Sequence, residues 1–181
     1  MTEPPPKPAR EIAPYEIRAA SEVDEQDIER LYDDVFGPGR FAKTAERLRE
    51  GNHRIEAACF VARDDGGLVG SVQFWPLMIG DTPGGVLLGP LGIAPRRRGD
   101  GIAFKLMEAG IAVCAGRGDL AVILVGDEPY YARAGFAKTE AGRFQMPGPV
   151  DERRILVREL NAEAGSLKGA LSVPRATRRT S

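Results

Sequence analysis

Apolar positions along the 181-residue chain change period several times, and each change marks an element. Residues 15–18 alternate and predict a first strand. Asp24 is positioned to cap a helix whose inward face is Ile28, Leu31, Tyr32, Val35 and Phe36. Gly37-Pro38-Gly39 stops it, and a second short helix is predicted over 41–49 with Ala45 and Leu48 inward. The period then shortens to two. Residues 58–63 predict a strand, Asp64-Asp65-Gly66-Gly67 a hairpin turn, and 68–79 a long strand interrupted near Trp75-Pro76. After a turn at 80–85, residues 86–93 predict another strand, which must bulge or splay at Gly89-Pro90 because proline cannot donate to a ladder. A central helix follows over 101–117, with Phe104, Met107, Ile111 and Cys114 on one side and Lys105 and Glu108 on the other. Residues 120–125 are apolar at every position, the mark of a buried parallel strand. A short helix at 128–134 carries Pro129 in its first turn, and 136–146 and 154–160 supply two closing strands.

The strand–helix–strand run from 86 to 125 is a crossover unit, so its two strands should be parallel neighbours while the rest of the sheet is antiparallel. The expected fold is α/β: a mixed, mostly antiparallel sheet, splayed between two central parallel strands, with helices on both faces. One domain is expected over 14–160, after a disordered proline-rich tail at 1–13 and before a C-terminal extension at 161–181 whose last dozen residues read as a frayed basic end.

Composition narrows the function. The 25 basic and 26 acidic residues give a net charge of −1, so no global field holds nucleic acid or membrane. The apolar runs are too short to span a bilayer. A single histidine, His53, excludes a multi-histidine metal centre, and no metal is expected. Cys59 and Cys114 lie within apolar runs and read as buried hydrophobes in a reducing, cytoplasmic setting.

Attraction for an anion must therefore be local. Arg98-Gly99-Asp100-Gly101-Ile102-Ala103 joins the 86–93 strand to the central helix, with Arg96 and Arg97 alongside. A strand that turns on glycine directly into a helix aims unpaired amides and the positive end of the helix dipole at one small volume. The competing reading is an ordinary solvated turn. A second element, Gly126-Asp127-Glu128-Pro129-Tyr130-Tyr131, follows the neighbouring strand and leads to Gly135-Phe136. Taken alone, its tyrosine pair is more simply core packing.

Together the two elements resemble the GNAT superfamily of acyl-CoA-dependent N-acyltransferases. That family's Arg/Gln-x-x-Gly-x-Gly/Ala pattern is matched by Arg98, Gly101 and Ala103, and its tyrosine before a Gly-Phe pair by Tyr131. The resemblance spans about 14–160 and is nearest to a bacterial branch with a Gly-Asp-x-Pro-Tyr-Tyr type second motif. It implies acetyl-CoA as acyl donor, its pyrophosphate on Arg98, Gly99, Asp100, Gly101, Ile102, Ala103 and Phe104. It implies a pantetheine arm between the splayed strands, an oxyanion held by backbone N–H near Leu91, Gly92 and Ile93, and Tyr131 as general acid. Direct attack by an amine then needs no covalent enzyme intermediate. Asp127 is a candidate base, with helix capping as its competing role; Glu56 and His53 are others. Trp75 either lines the acceptor pocket or packs a bulge; loops 37–52 and 143–153 shape that pocket. Asp100 stands where the family often carries lysine or arginine, and a carboxylate there is expected to weaken CoA binding unless it turns outward. The expected acceptor is a small-molecule or peptide amine, with no nucleic acid or membrane partner; a homodimer stays open. Two other classes stay open as well: a non-catalytic acyl-CoA-binding sensor or regulatory domain, and a nucleotide-binding module.

Overall fold

A computed structural model describes residues 12–39 and 43–175. Most of the proline-rich tail and residues 176–181 lie outside the described residues. Nine strands among the described residues are β1 (Glu16–Ala19), β2 (Phe60–Asp64), β3 (Gly67–Ile79), β4 (Thr82–Ile93), β5 (Ala121–Val125), β6 (Ala137–Lys138), β7 (Phe144–Gln145), β8 (Ile155–Glu159) and β9 (Gly169–Ser172). The α-helices are α1 (Glu25–Phe36), α2 (Ile102–Gly116) and the short α3 (Glu128–Tyr131).

The sheet runs β1-β2-β3-β4-β5-β8-β6, with β9 pairing both β3 and β7. Within it, β4 and β5 are parallel and the other pairs on that path are antiparallel. β7 and β9 form a further parallel pair. Pleat alternation makes the central strands two-sided. Val86, Leu88, Val122 and Leu124 pack with Ile102, Leu106 and Ile111 of α2, whereas Leu87 and Ile123 join Leu77, Phe144 and Leu171 on the opposite side. Tyr32 of α1 reaches Ser71 of β3, one residue out of phase with Val72 in the α2 cluster, so the two long helices cover opposite faces.

The mixed sheet and its parallel central pair match the pattern's expectation. Four local expectations do not hold. The segment expected as a helix at 41–49 is a 3-10 turn over Thr44–Leu48, although Leu48 is buried as expected. β3 runs unbroken through Trp75-Pro76, where Trp75 pairs with Leu87 and Pro76 with Val86. The irregularity lies one step earlier: between Val72↔Leu91 and Phe74↔Leu88 the partner strand carries an extra residue, at Gly89-Pro90. On α2, Phe104 departs from the buried stripe of Met107, Ile111 and Cys114 and is 41% exposed, and Ile102 and Leu106 are buried in that stripe's place. Finally, the end read as frayed includes β9, whose Leu171 is buried against the second core cluster.

Asp24 occupies the N-cap position of α1, yet its side chain does not cap that helix. The carboxylate is fully buried and takes two hydrogen bonds from Arg18 at 2.7 Å and one from Arg63 at 3.1 Å, together with the Ser21 amide at 3.1 Å. It therefore clamps the start of α1 to β1 and β2. The Arg18 hydrogen bonds hold it far below the ordinary carboxylate range, against the opposing effect of burial. A carboxylate so depressed stabilises the fold at every pH above its unfolded value of about 3.9, and that stabilisation is lost as pH falls below it. Asp24→Asn is expected to cost about 1–3 kcal/mol at pH 7, because both arginines remain partly solvated. Urea melts of both proteins from pH 7 to pH 3 check this: the gap should narrow with acid, and a constant gap would reject the linkage.

Candidate active site

β4 and β5 pair only at Gly85↔Ala121, Val86↔Val122 and Leu87↔Ile123. Beyond residue 87 the bulge carries β4 away from its neighbour, and Leu88 to Ile93 leave β5 behind. Trp75 braces this departure: its Nε1–H donates to the Gly89 carbonyl at 2.8 Å. It packs on the second core cluster and does not line either cavity described below, which favours the bulge-packing role. Tyr32 braces the other side, its hydroxyl 3.0 Å from Ser71 Oγ and donating to the Pro90 carbonyl at 3.1 Å.

The opening continues into two cavities that share Leu91 and Tyr131. One, of about 550 Å³, runs along Leu91 and Ile93 to Arg98, Gly99, Gly101 and the first turn of α2. Gly101 is the α2 N-cap in the left-handed conformation, φ +77°, and Gly99 has φ +89°. A Cβ on either would meet nothing within 4 Å, so both face open space. No side chain caps α2, and its first turn closes only with Lys105 N donating to Gly101 O at 3.2 Å. The amides of the opening residues therefore point into the cavity, where the dipole favours negative charge.

Of the loop residues assigned to the anion, Arg98, Gly99, Gly101, Ile102, Ala103 and Phe104 line this cavity. The exposure of Phe104 is thus explained by its place on the cavity wall. Gly92 and Asp100 do not line it. Gly92 backs onto Tyr32, where a Cβ would sit 3.0 Å from the ring. Asp100 turns neither to solvent nor to the helix. It is buried, with Oδ2 3.0 Å from Arg97 Nε. Of the three consecutive arginines expected at the entrance, Arg97 and Arg98 line the cavity and Arg96 does not. Arg96 makes a bidentate pair with Asp64 at 2.7 Å, and Arg97 is buried between Asp64, Asp100 and the Ala13 carbonyl. Arg98 alone of the three is exposed with no acidic partner among the described residues. Tyr130 and Arg133 also line this cavity, a role the pattern of the short helix did not reveal.

Tyr131 stands at the junction of the cavities. Its ring packs edge-on against Tyr130 (4.9 Å between centroids) and Phe136 (6.0 Å). Its hydroxyl is pushed up to about 12 by burial, then by Tyr130 and Asp127. It is therefore protonated throughout the neutral range and can donate. The ring lies directly on Gly126, where a Cβ would be 2.3 Å from Cε2. Gly126→Ala must displace that ring, so activity should fall at least tenfold while the fold survives. Steady-state kinetics with a thermal melt check this; unchanged turnover would show that the ring's seat is immaterial.

Asp127 neither caps α3 nor is buried. Its side chain is 78% exposed and 3.3 Å from Arg154. His53 and Glu56 are exposed and line neither cavity, and Glu56 pairs with Arg54 at 3.3 Å. Both cysteines are buried, and burial pushes their thiols up to about 11 for Cys59 and about 12 for Cys114, so neither is a nucleophile at neutral pH. Among the described residues no group of His, Cys, Asp and Glu could hold a metal ion, and no helix is long and apolar enough to cross a membrane.

The second cavity, of about 430 Å³, extends from Leu87–Leu91 and Tyr131 outward between segments 43–49 and 149–154. Two links tie these walls together: Thr44 Oγ1 donates to the Pro149 carbonyl, and Arg47 Nη1 to the Pro147 carbonyl at 2.8 Å.

A parallel pair that parts beside an amide-lined glycine turn, with a protonated tyrosine at the fork, leaves a cleft suited to an extended ligand that ends in a phosphate. Residues 25–137 match the acetyltransferase (GNAT) family, and the chain belongs to it. An uncharacterised N-acetyltransferase of Escherichia coli, YhbS, is 30% identical over 149 residues, covering 82% of this chain and 89% of the relative. The crystal structure of E. coli YhbS in complex with CoA covers 92% of this chain and 93% of its own, with TM-score 0.77 and 26% identity. A Brucella melitensis GNAT acetyltransferase in complex with acetyl-CoA gives TM-score 0.66 at 25% identity, over 89% of this chain and 96% of its own.

Proposed function

We propose that this chain binds acetyl-CoA and transfers its acetyl group to the primary amine of a small molecule or peptide. The observation that carries this reading is the continuity of the site. The amide-lined turn at 98–104, the unpaired edge of β4 beyond Leu87 and the Tyr131 hydroxyl follow one another along one connected cleft. The complexes of E. coli YhbS with CoA and of the Brucella enzyme with acetyl-CoA support the same donor here.

Acetyl-CoA supplies an activated thioester. The residues of this chain do the rest. Amides of 99–104 and the Arg98 guanidinium hold the diphosphate, the glycines letting it approach the backbone. The β4 edge offers main-chain hydrogen bonds to the pantetheine as an added strand would. A β4 amide among Leu91 to Ile93 polarises the carbonyl and stabilises the oxyanion. The neutral amine attacks the carbonyl carbon; the C–N bond forms, the C–S bond breaks, and the amine proton leaves to solvent or to Asp127. Tyr131 gives its proton to the departing sulfur and recovers one from water. Asp100 bears on this only through Arg97, its charge already matched.

The test is release of free thiol from acetyl-CoA by the purified chain across a panel of amines, with products identified by mass. Amine-dependent thiol release with N-acetylated product supports the proposal. CoA binding without turnover of any amine would instead support a sensor.

A further inference from the structure

Resting on that reading, we infer that the acceptor is a small amine that also carries a carboxylate, bound in the second cavity by Lys43, Arg49 and Arg154.

The cavity nearest α2 takes the donor, so the other one, meeting it at Leu91 and Tyr131, faces the reacting carbonyl from the acceptor side. Its charged lining is lopsided. Lys43, Arg49 and Arg154 line it, and among the described residues Asp151 is the acid that does. Asp151 is already held by Arg153, whose Nε and Nη2 donate at 2.9 and 2.8 Å. Arg49 pairs with Glu46 at 2.5 Å, and Arg154 with the exposed Asp127 at 3.3 Å; neither of those carboxylates lines the cavity. Lys43 lies over the Phe36 ring, 5.1 Å from its centroid.

Geometry sets the reach. The Arg49 guanidinium is largely buried and comes within 3.4 Å of where a Gly89 Cβ would stand, so it sits at the bulge itself. A glycine there leaves it that room. The walls are joined across the cavity by Thr44 and Pro149, and a volume of about 430 Å³ suits a small molecule. With Lys43, Arg49 and Arg154 on the lining and the paired carboxylates of Glu46 and Asp127 off it, this wall disfavours a second ammonium group and favours a carboxylate.

The test uses conjugates in which CoA sulfur is joined through CH2–C(O)–NH to two, three or four methylenes ending in carboxylate, methyl or ammonium. Calorimetry on the full chain reads their affinities without requiring turnover. The carboxylate ending should bind about 10-fold more tightly than methyl and about 100-fold more tightly than ammonium at its best length, and added salt should shrink the preference. Arg49→Gln should remove most of it; Lys43→Gln, at an exposed position, should reduce it without threatening the fold. Equal binding of the three endings, or preference for ammonium, overturns this inference while leaving the acetyltransferase reading intact. Failure of every conjugate and of CoA itself overturns the acetyltransferase reading, and this inference with it.

Discussion

Gly101→Val is expected to weaken acetyl-CoA binding by about 100-fold or more while leaving a folded protein. Gly101 holds φ +77° at the N-cap of α2, and nothing stands within 4 Å of the position a Cβ would take. The strain of placing a side chain in the left-handed region is roughly 1–2 kcal/mol. That should lower Tm by several degrees and no more. The larger effect falls on the ligand. On the proposed binding mode, the space that a valine side chain enters is the space the diphosphate needs, and charge-assisted hydrogen bonds to the first amides of α2 are each worth about 1.5–3 kcal/mol. Losing two of them corresponds to a factor of about 100 or more in affinity. Calorimetric titration with CoA, beside a thermal melt, separates the two effects. Unchanged affinity in a folded Gly101→Val protein would remove the cradle from the account.

Tyr131→Phe should lower kcat by about 100-fold and leave the acetyl-CoA KM nearly unchanged. The substitution keeps the ring on Gly126 and its contacts with Tyr130 and Phe136, so packing is preserved and only the proton is lost. General acid assistance of this kind is typically worth about 10²–10⁴ in rate. A fall in kcat and kcat/KM together marks an interaction made in the transition state. The pH dependence has a definite sign. Because burial pushes the hydroxyl up to about 12, the acid form prevails from pH 8 to 10, and no alkaline fall in kcat is expected from Tyr131 in that range. A phenylalanine variant with wild-type kcat, or one whose loss lies wholly in KM, would assign the proton to a different donor.

Much of the architecture was legible because it is written in local periodicity. Residues 120–125 are apolar at every position, and the strand is buried on both faces in the parallel pair. The bulge at Gly89-Pro90 followed from proline's missing donor, and it is what separates β4 from β5. What escaped was set by distant partners. β9 has a weak pattern of its own and exists through pairing with β3 and β7. Phe104, read both in the helical stripe and among the loop residues facing the ligand, stands on the cavity wall, while Leu106, which the stripe left out, fills the core. The roles of Arg96 and Arg97 could not be read from their adjacency to Arg98, because Asp64 lies more than thirty positions earlier and meets them only when the β2–β3 turn folds over the loop.

The same holds for the site. Glycines at a strand-to-helix junction announce an anion cradle, since backbone freedom and helix polarity are local properties. From sequence, Asp100 reads as a carboxylate without a cationic partner because its neighbour Arg97 is not recognisable as one. Arg49 carried no local signal at all; its place at the bulge depends on the 3-10 turn at Thr44–Leu48 crossing toward β4.

A crystal structure of the chain grown with saturating CoA tests the central claim most directly. The account expects diphosphate oxygens within hydrogen-bonding distance of the main-chain amides between Gly99 and Phe104, with the sulfur approaching the Tyr131 hydroxyl. Nucleotide density seated elsewhere, or a diphosphate held by side chains with those amides left to water, would contradict it.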